Sequence, residues 1–246
     1  MCKHECGCGY KPYKILENKQ IANEVYELTV QNNDDIIESG QFYMLKVEGK
    51  FLARPITVCK SDVKTITFVY KTFGEGTKEL STYKDSLEML GPQGHGWKTV
   101  TNKKIVLVAG GVGTPAIYKI ATELATNNEL QIVLGFKGAK DVFYESEFAK
   151  LGKTFIMTDD GTQGEQGNVV DKLKQLDFDY IYACGPNPML KAIAKEIDVD
   201  GQVSLEEHMA SGIGICGSCS SSILKPMRNK RVCTDGPVFD IRDINV

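Results

Sequence analysis

The sequence lacks long apolar runs, an excess of either charge, and the cysteine density of a disulfide-stabilised protein. Its strongest apolar run, residues 105–109, stops at Gly110 and is far shorter than the ~18 residues of a membrane-spanning helix. A net charge of −3 favours neither nucleic acid nor an anionic membrane as a partner. The stretch from Met1 to Tyr10 has no apolar segment typical of a secretory signal. We therefore expect a cytoplasmic protein that binds neither nucleic acid nor membrane.

The eight cysteines are clustered rather than spread along the 246 residues. In a reducing compartment, clustered cysteines indicate metal binding or redox chemistry rather than structural disulfides. Cys2, Cys6 and Cys8 lie near the N-terminus, Cys216, Cys219 and Cys233 lie near the C-terminus, and Cys59 and Cys184 are isolated.

Changes in the apolar pattern divide the chain into three parts, of which residues 10–100 are predicted to be a β domain. Tyr26, Leu28 and Val30 alternate with polar residues, as in a half-buried strand. Residues 42–47, 52–58 and 65–70 are further strand candidates, because they are rich in β-branched and aromatic side chains. Several short strands of this kind predict a small antiparallel barrel or sandwich.

Residues 101–200 alternate between strand and helix. The apolar run 105–108 is typical of a buried parallel strand, and apolar residues at helical spacing follow Pro115. Further strands are expected at 130–136, 154–157 and 180–183, with helices from about Val169 and Pro188. This alternation predicts a doubly wound parallel sheet. The helical pattern ends at Gly201, so residues 201–246 are predicted to be a small metal-binding region.

Two loops that follow strands of this sheet are candidate nucleotide sites. Glycines between a strand and a helix let the backbone approach a phosphate, although a tight structural turn is the alternative because the spacing is not G-x-G-x-x-G. Ligands bind at the carboxyl ends of parallel strands, so both loops are predicted to face one crevice. As a lone cysteine, Cys184 also fits a buried small apolar residue. The candidates are Gly110, Gly111, Gly113, Cys184, Gly185 and Pro186.

A third group of candidates lies in the β domain. Arg54 could hold a phosphate through two hydrogen bonds, Tyr70 could stack on a flat ring, and the turn at Gly76 and Thr77 offers further donors. Each residue is ordinary by itself, and only the combination is informative. The set is Arg54, Pro55, Ile56, Thr57, Val69, Tyr70, Lys71, Gly76 and Thr77.

Cys216, Cys219 and Cys233 form the strongest metal-binding pattern. Their spacing fits the plant-type [2Fe–2S] pattern C-x4-C-x2-C with a distant fourth cysteine, but Ser211 occupies the first position. Zinc is the alternative, because two cysteines at this spacing also serve tetrahedral zinc sites.

The N-terminal group of Cys2, His4, Cys6 and Cys8 could bind a metal or supply the missing fourth ligand. A short terminal segment is, however, commonly mobile and without a role. Both interpretations stay open at this point.

The order of these motifs resembles one branch of the ferredoxin reductase superfamily, the electron transfer subunits of B-type dihydroorotate dehydrogenase. The resemblance extends over residues 13–239, and it is the joint order of the motifs that makes it specific. The matching motifs are Arg54-Pro-Ile-Thr57, Gly76-Thr77, Gly91-Pro-Gln-Gly94, Gly110-Gly-Val-Gly113, Asp159-Asp-Gly161, Cys184-Gly-Pro-Asn-Pro-Met189, the segment from Ser211 to Cys233 (here called the cysteine loop) and Asp235-Gly-Pro-Val-Phe239.

This resemblance implies an FAD-binding barrel, an NAD-binding α/β domain and a C-terminal [2Fe–2S] cluster. In the family, the cluster faces an FMN-containing catalytic subunit that oxidises dihydroorotate in pyrimidine biosynthesis, and two electron transfer subunits flank a catalytic dimer. Electrons pass through the cluster to FAD and leave as a hydride to NAD⁺. By the same resemblance, residues 54–57, 69–71 and 76–77 contact FAD, with Thr57 near the reactive flavin nitrogen. Residues 110–113 and 184–186 frame the nicotinamide, and no acid–base catalytic residue is expected.

Ser211 departs from the family, which has cysteine at this position. A serine oxygen can ligate iron, and related subunits carry aspartate there, so we expect Ser211 to act with Cys216, Cys219 and Cys233 as the cluster ligands.

Two rival functions also fit the sequence, and the motifs do not decide between NAD and NADP. One is an NAD(P)H:acceptor or ferredoxin:NADP⁺ reductase subunit of another complex, and the other is a non-catalytic zinc- or nucleotide-binding module.

Overall fold

The computed structural model describes residues 9–225 and 230–245. The strands are β1 (Lys11–Ala22), β2 (Val25–Gln31), β3 (Phe42–Leu45), β4 (Arg54–Ser61), β5 (Thr65–Lys71), β6 (Ser86–Gln93), β7 (Lys104–Gly110), β8 (Glu129–Phe136), β9 (Lys153–Thr158), β10 (Glu165–Gln166), β11 (Tyr180–Cys184), β12 (Gly201–Ser204) and β13 (Val238–Asp240). The α-helices are α1 (Glu75–Leu80), α2 (Thr114–Leu124), α3 (Glu145–Ala149), α4 (Val169–Leu173), α5 (Asn187–Glu196) and α6 (Val232–Asp235). Among the described residues, no helix is both long and apolar enough to cross a membrane.

The N-terminal strands form a closed antiparallel barrel in the order β1-β2-β5-β4-β3-β6. Its interior is apolar, with Leu28 of β2 paired to Phe68 of β5 and both side chains fully buried. Tyr13 and Tyr43 are also buried, and both hydroxyls donate to the Asp35 carboxylate, which satisfies their polar ends. The predicted antiparallel β domain is therefore confirmed, in its barrel form.

The second sheet has the order β10-β9-β8-β7-β11-β12-β13, and all neighbours are parallel except β12 and β13. Both faces are covered. Val106 and Val108 of β7 pack into one apolar cluster with α4 and α5, whereas Ile105 and Leu107 pack into another with α2. This double coverage explains the unbroken apolar run in β7 and confirms the predicted doubly wound sheet.

The C-terminal region is joined to this sheet more closely than the sequence suggested. Strand β12 begins at Gly201, where the sequence pattern placed the start of a separate region, and β13 returns antiparallel beside it. Four residues are too few to display a strand period, so β12 has no recognisable signal. The cysteine loop lies between β12 and β13 and is thereby fastened to the sheet at both ends.

Polar contacts hold the barrel against the α/β sheet. Lys71 of β5 forms a 3.2 Å ion pair with Asp141, and both side chains are largely buried. The Tyr144 hydroxyl donates to Glu27 of β2, while the Lys60 ammonium lies 4.3 Å from the Tyr144 ring centre and 3.3 Å from the Glu27 carboxylate. These contacts, with α2 packed on β4, fix the cleft between the two units.

Candidate functional site

A cavity of about 550 Å³, here called the barrel cavity, opens between strands β4 and β5 and the α/β sheet. The segment after β12, including Leu205, Glu206 and Met209, closes its far wall. Eight of the nine candidates from the β domain line it. They are Arg54, Pro55, Ile56, Thr57, Val69, Tyr70, Lys71 and Thr77.

In the wall of this cavity, the absence of a side chain at Gly76 leaves space for Arg54. The Arg54 guanidinium donates to the Leu52 carbonyl and forms no ion pair with a carboxylate of the described residues, so its remaining donors are available to a phosphate. Its side chain crosses the first turn of α1, where a β-carbon on Gly76 would overlap the guanidinium. Gly76 is therefore the residue that lets Arg54 reach the cavity, which fits a site for a phosphate-bearing cofactor.

Tyr70 and Thr77 are already engaged by neighbours. The Tyr70 ring stacks on Tyr26 at 5.9 Å, and its hydroxyl donates to the Asn18 amide oxygen at 3.1 Å. Burial raises the pKa of Tyr70, so this hydroxyl stays neutral. The Thr77 hydroxyl accepts from the backbone N–H of Phe73 at 3.1 Å and thereby orders the turn before α1.

A second cavity of about 530 Å³, the sheet cavity, lies over the carboxyl ends of β7, β8 and β9. Gly110, Gly111 and Pro186 from the two predicted loops line it. Gly111 has φ of +52°, and a β-carbon there would meet no atom within 4 Å. The backbone after β7 is thus exposed to open space at the N-terminus of α2, as a pyrophosphate site requires.

The other candidates of these loops lie behind the cavity wall. A β-carbon on Gly113 would overlap the Cys184 carbonyl, and one on Gly185 would lie 3.0 Å from the Gly110 nitrogen. The two loops therefore touch through their glycines. Cys184 itself is fully buried, and burial raises the pKa of its thiol, with the Glu206 charge adding to the effect.

The two cavities share part of their walls. Lys71, Phe73, Val112 and Glu206 line both. The Glu206 carboxylate lies 4.0 Å from the Cys184 sulfur, and desolvation in the cleft raises its pKa above the usual range. Ligands bound in the two cavities would therefore come together at this wall. A flat ring in one cavity would then lie close to a flat ring in the other.

The cysteine loop arranges its four candidate ligands as two pairs. Ser211 Oγ lies 3.3 Å from Cys216 Sγ, and Cys219 Sγ lies 3.2 Å from Cys233 Sγ. Within residues 9–225 and 230–245, no three His, Cys, Asp or Glu side chains converge as one mononuclear site would require. Two separate pairs match the needs of a two-iron cluster, in which each iron takes two protein ligands, better than those of one zinc ion.

The two pairs differ in their surroundings. Cys219 and Cys233 are 1% exposed, and burial is the main reason that the pKa of Cys233 rises to about 11. Ser211 and Cys216 are half-buried, and a hydrogen bond with Ser211, followed by backbone hydrogen bonds, lowers the pKa of the Cys216 thiol to about 7. Metals bind thiolates, and the Cys216 thiol loses its proton more easily than the Cys233 thiol.

The loop packs directly on the barrel. Gly212 has φ of +71°, and a β-carbon there would lie 2.6 Å from the Met44 side chain of β3. The buried pair of cysteines belongs to the same apolar cluster as Phe42, which lines the barrel cavity. The inner side of the loop therefore packs on the barrel, and its outer side carries the exposed side chains of Ile213 and Ile215.

Two residues that line both cavities were not found from sequence, and one predicted group lies outside the described residues. Phe73 and Glu206 line both cavities, yet neither lies in a motif, and only the fold brings them to the shared wall. The available sequence signal for Phe73 was its position beside the glycine turn at 74–77. Cys2, His4, Cys6 and Cys8 lie outside the described residues.

Comparisons with known proteins agree with this arrangement. Residues 206–245 match the family model described as the iron–sulfur cluster binding domain of dihydroorotate dehydrogenase B. Residues 107–195 match the oxidoreductase NAD-binding domain. These spans coincide with the cysteine loop and with the sheet that forms the second cavity.

Two solved structures show the same fold. The NADH-dependent reduced ferredoxin-NADP oxidoreductase aligns with a TM-score of 0.85 at 28% identity, over 95% of this chain and 89% of that chain. The Neisseria gonorrhoeae ferredoxin NADP⁺ reductase, with bound FAD and NADP, aligns with a TM-score of 0.65 at 16% identity, over 77% of this chain and 90% of that chain.

Curated relatives match along almost the whole chain. "Dihydroorotate dehydrogenase B (NAD(+)), electron transfer subunit" of Caldanaerobacter subterraneus subsp. tengcongensis is 39% identical over 92% of this chain and 94% of its own. The subunit of the same name from Fusobacterium nucleatum subsp. nucleatum is 36% identical over 94% of this chain and 97% of its own. The resemblance inferred from the motifs is confirmed, and the chain belongs to the family of dihydroorotate dehydrogenase B electron transfer subunits.

Proposed function

We propose that this chain is the electron transfer subunit of a dihydroorotate dehydrogenase that reduces NAD⁺. Its partner is an FMN-containing catalytic subunit, and two copies of each form a heterotetramer. One observation carries the proposal: the loop that bears the cysteine pairs packs on the barrel, and the barrel cavity shares a wall with the sheet cavity.

The barrel cavity suits FAD. Arg54 would hold the pyrophosphate, because its guanidinium lines the cavity and pairs with no carboxylate in the part of the chain that the structure describes. Residues 55–57 and 69–71, with the turn at Gly76 and Thr77, would surround the rest of the cofactor, and Thr57 would lie beside the flavin ring. FAD, when bound, supplies the conversion between single electrons from a [2Fe–2S] cluster and the hydride that NAD⁺ accepts.

The sheet cavity suits NAD⁺ as a substrate. The backbone of Gly110 and Gly111 would receive the pyrophosphate, and the loop of Cys184, Gly185 and Pro186 would bound the nicotinamide. Gly113 lets that loop approach the first one. The shared wall then brings nicotinamide and flavin together, so the chain's role is to position its ligands.

Cys216, Cys219 and Cys233 would hold the cluster, with Ser211 as the fourth ligand. The distance between Ser211 Oγ and Cys216 Sγ, 3.3 Å, is close to the ~3.4 Å edge of a tetrahedral site with one oxygen and one sulfur ligand at ~1.9–2.3 Å. This distance supports Ser211, rather than an N-terminal cysteine, as the fourth ligand.

The test is anaerobic purification of the full chain, followed by iron, sulfide and flavin analysis and a spectrum before and after NADH. We expect about two irons, two sulfides and one FAD per chain, as the [2Fe–2S] and single-flavin composition requires, with absorbance that NADH bleaches. A colourless protein with one zinc would overturn the proposal and support a zinc module.

A second candidate is a subunit of a ferredoxin-NADP oxidoreductase, favoured by the similarity to the NADH-dependent reduced ferredoxin-NADP oxidoreductase over 95% of this chain. Addition of a purified dihydroorotate dehydrogenase catalytic subunit separates the two candidates. Dihydroorotate-dependent NADH formation supports the first, and its absence in a fully loaded complex supports the second.

A further inference from the structure

One lysine of the barrel borders both cavities. Lys71 is the last residue of β5, and it lines the barrel cavity and the sheet cavity. Its side chain is only 17% exposed, so the ammonium lies in a largely desolvated place between the two sites. A cation in such a place attracts an anionic ligand more strongly than it would in bulk water. Lys71 can therefore act on a phosphate in either cavity.

Asp141 is the carboxylate that holds this ammonium. It ends the turn Ala139–Asp141 after β8, lines the sheet cavity and has an oxygen 3.2 Å from the Lys71 nitrogen. A fully formed hydrogen bond between an ammonium and a carboxylate is shorter, about 2.7–2.9 Å. An ammonium also has three donors, and the contact with Asp141 uses one of them. The pair thus leaves donor capacity for a second anion.

The Ala139–Asp141 turn is held on the barrel by backbone hydrogen bonds as well as by this ion pair. The Asn23 N–H, in the turn between β1 and β2, donates to the Lys140 carbonyl at 3.0 Å. The Thr72 N–H donates to the Glu24 carbonyl at 2.8 Å, which joins that same turn to the end of β5. These bonds keep the two charged residues side by side, so a change in either charge should leave the backbone around them in place.

The other residues of the shared wall do not offer a cation to a ligand. Of the four residues that line both cavities, Phe73 and Val112 are apolar and Glu206 is acidic. Lys137, which follows β8, lines the sheet cavity but is exposed, so solvent and salt screen its charge. Lys71 is therefore the cation with the strongest effect on a ligand at this wall.

We propose that Lys71 shares its ammonium between Asp141 and the pyrophosphate of the dinucleotide in the sheet cavity, an inference that rests on the proposed function. The glycines after β7 bring that pyrophosphate to the same cavity. Asp141 is then a positioning residue that also limits affinity, because its carboxylate holds the ammonium and competes with the ligand for it. Sharing keeps the Asp141 charge paired in the complex, as a buried carboxylate requires. The competition sets how tightly the dinucleotide binds and how readily it leaves.

The test measures binding of ADP-ribose, which carries the pyrophosphate, to the full chain at saturating FAD by calorimetry. Asp141→Asn should tighten binding by about tenfold or more, because its amide oxygen still accepts from Lys71 while the competing charge is gone. Lys71→Gln should weaken binding by about tenfold or more, since it removes the donor and leaves Asp141 unpaired beside the ligand. A residue that only held the barrel to the sheet would weaken binding when changed, so tightening separates the two roles.

A double-mutant cycle shows whether Asp141 acts through Lys71. In the Lys71→Gln background, Asp141→Asn should change the affinity for ADP-ribose by about threefold or less, as expected of repulsion between charges that are not in contact. An equal gain in both backgrounds would mean that Asp141 repels the ligand directly, and it overturns the inference. Unchanged or weaker binding in Asp141→Asn also overturns it. So does tighter binding of FAD without tighter binding of ADP-ribose, which would assign the shared phosphate to FAD.

Glu27→Gln is the matched control, because it removes a carboxylate charge from the other polar contact between the barrel and the sheet. Glu27 accepts from Tyr144 and lies 3.3 Å from Lys60, and all three residues lie outside the walls of both cavities. This variant should bind ADP-ribose within about twofold of the wild type. Equal tightening in Glu27→Gln and Asp141→Asn contradicts the inference alone. Failure of ADP-ribose to bind the FAD-loaded wild type overturns the proposed NAD site as well.

Discussion

Ser211 differs from the other three candidate ligands in donor atom, and it is more exposed than two of them. It lies in the half-buried pair with Cys216, whereas Cys219 and Cys233 are buried against the barrel. An oxygen donor is harder than a thiolate and favours ferric iron. The iron of the outer pair should therefore resist reduction, and the electron should reside on the inner iron, on the side that faces FAD.

Ser211→Cys is expected to raise the reduction potential of the cluster, by about 60 mV or more if the one-electron equilibrium shifts at least tenfold. Redox titration monitored by electron paramagnetic resonance measures this shift. Ser211→Ala should lower the iron content, because the outer pair then offers a single ligand. A Ser211→Ala protein with wild-type iron content and potential would show that another group, such as an N-terminal cysteine, is the fourth ligand.

Cys59 of β4 shows how burial at the interface of the two units controls a thiol. It is fully buried, and desolvation raises its pKa from 9.0 to about 12. The folded protein therefore keeps the proton at a pH where the unfolded chain releases it. This proton linkage contributes stability below pH 9 that is lost as the pH rises toward 12.

Alkylation with iodoacetamide, mapped by mass spectrometry, tests this pKa. At pH 9, Cys59 should react in urea but remain unmodified in the native protein, because less than about 1% of the native thiol is ionised three pH units below its pKa. Cys184 is an internal comparison, since it too is fully buried with a raised pKa. Equal labelling of Cys59 in the native and unfolded states would contradict the prediction.

Helix α1 leaves space for Arg54 at the cofactor site because one of its residues is a glycine. Gly76 lies in its first turn, where a β-carbon would overlap the Arg54 guanidinium. Gly76→Ala should displace Arg54 and weaken FAD binding by about tenfold or more, since a hydrogen bond to a charged group contributes about 1.5–3 kcal/mol. The dissociation constant follows from the recovery of FAD fluorescence on dilution.

Gly74→Ala is the control within the same turn. Gly74 has φ of −137°, which any residue adopts, and a β-carbon there would meet no atom within 4 Å. This variant should bind FAD within about threefold of the wild type, because a change at the N-cap costs less than ~1 kcal/mol. If both variants lose FAD to the same extent, the effect comes from the helix and not from Arg54.

The strands and helices that the sequence predicts are those whose apolar residues recur with a clear period. Strand β2 was expected at 26–30 and spans Val25–Gln31, and β7 was expected at 105–108 and spans Lys104–Gly110. Strand β1 gave no such signal, because only Tyr13 and Ile15 of its twelve residues are buried. Helix α1 and strand β12 are too short to display periodicity.

The candidate site likewise has residues that the sequence predicts and residues that it does not. Local motifs identify the loops that line each cavity, since glycine turns and cysteine spacing are local properties of the chain. The role of Glu206 depends on a contact between segments distant in sequence. Glu206 is brought to Cys184 by the pairing of β11 with β12, and no sequence pattern carries that register.

At the scale of the whole molecule, the three sites form one path from an exposed loop to an open cavity. The cysteine loop presents Ile213 and Ile215 outward, with exposed fractions of 42% and 80%. Apolar side chains beside a redox centre suit a partner surface, because electron transfer requires close approach and exclusion of water. The catalytic subunit is therefore expected to cover this side of the loop.

Ile215→Glu should weaken binding of the catalytic subunit by about tenfold or more, since an unpaired carboxylate would be buried at the interface. Val63→Glu is the matched control, because Val63 is 83% exposed but lies in the turn between β4 and β5. Both variants should keep wild-type iron and FAD content, as the substituted side chains are exposed. Sedimentation with the purified catalytic subunit gives both dissociation constants. Equal binding by the two variants would mean that the partner docks elsewhere, and that electrons reach the cluster by another route than the Ile213–Ile215 side of the loop.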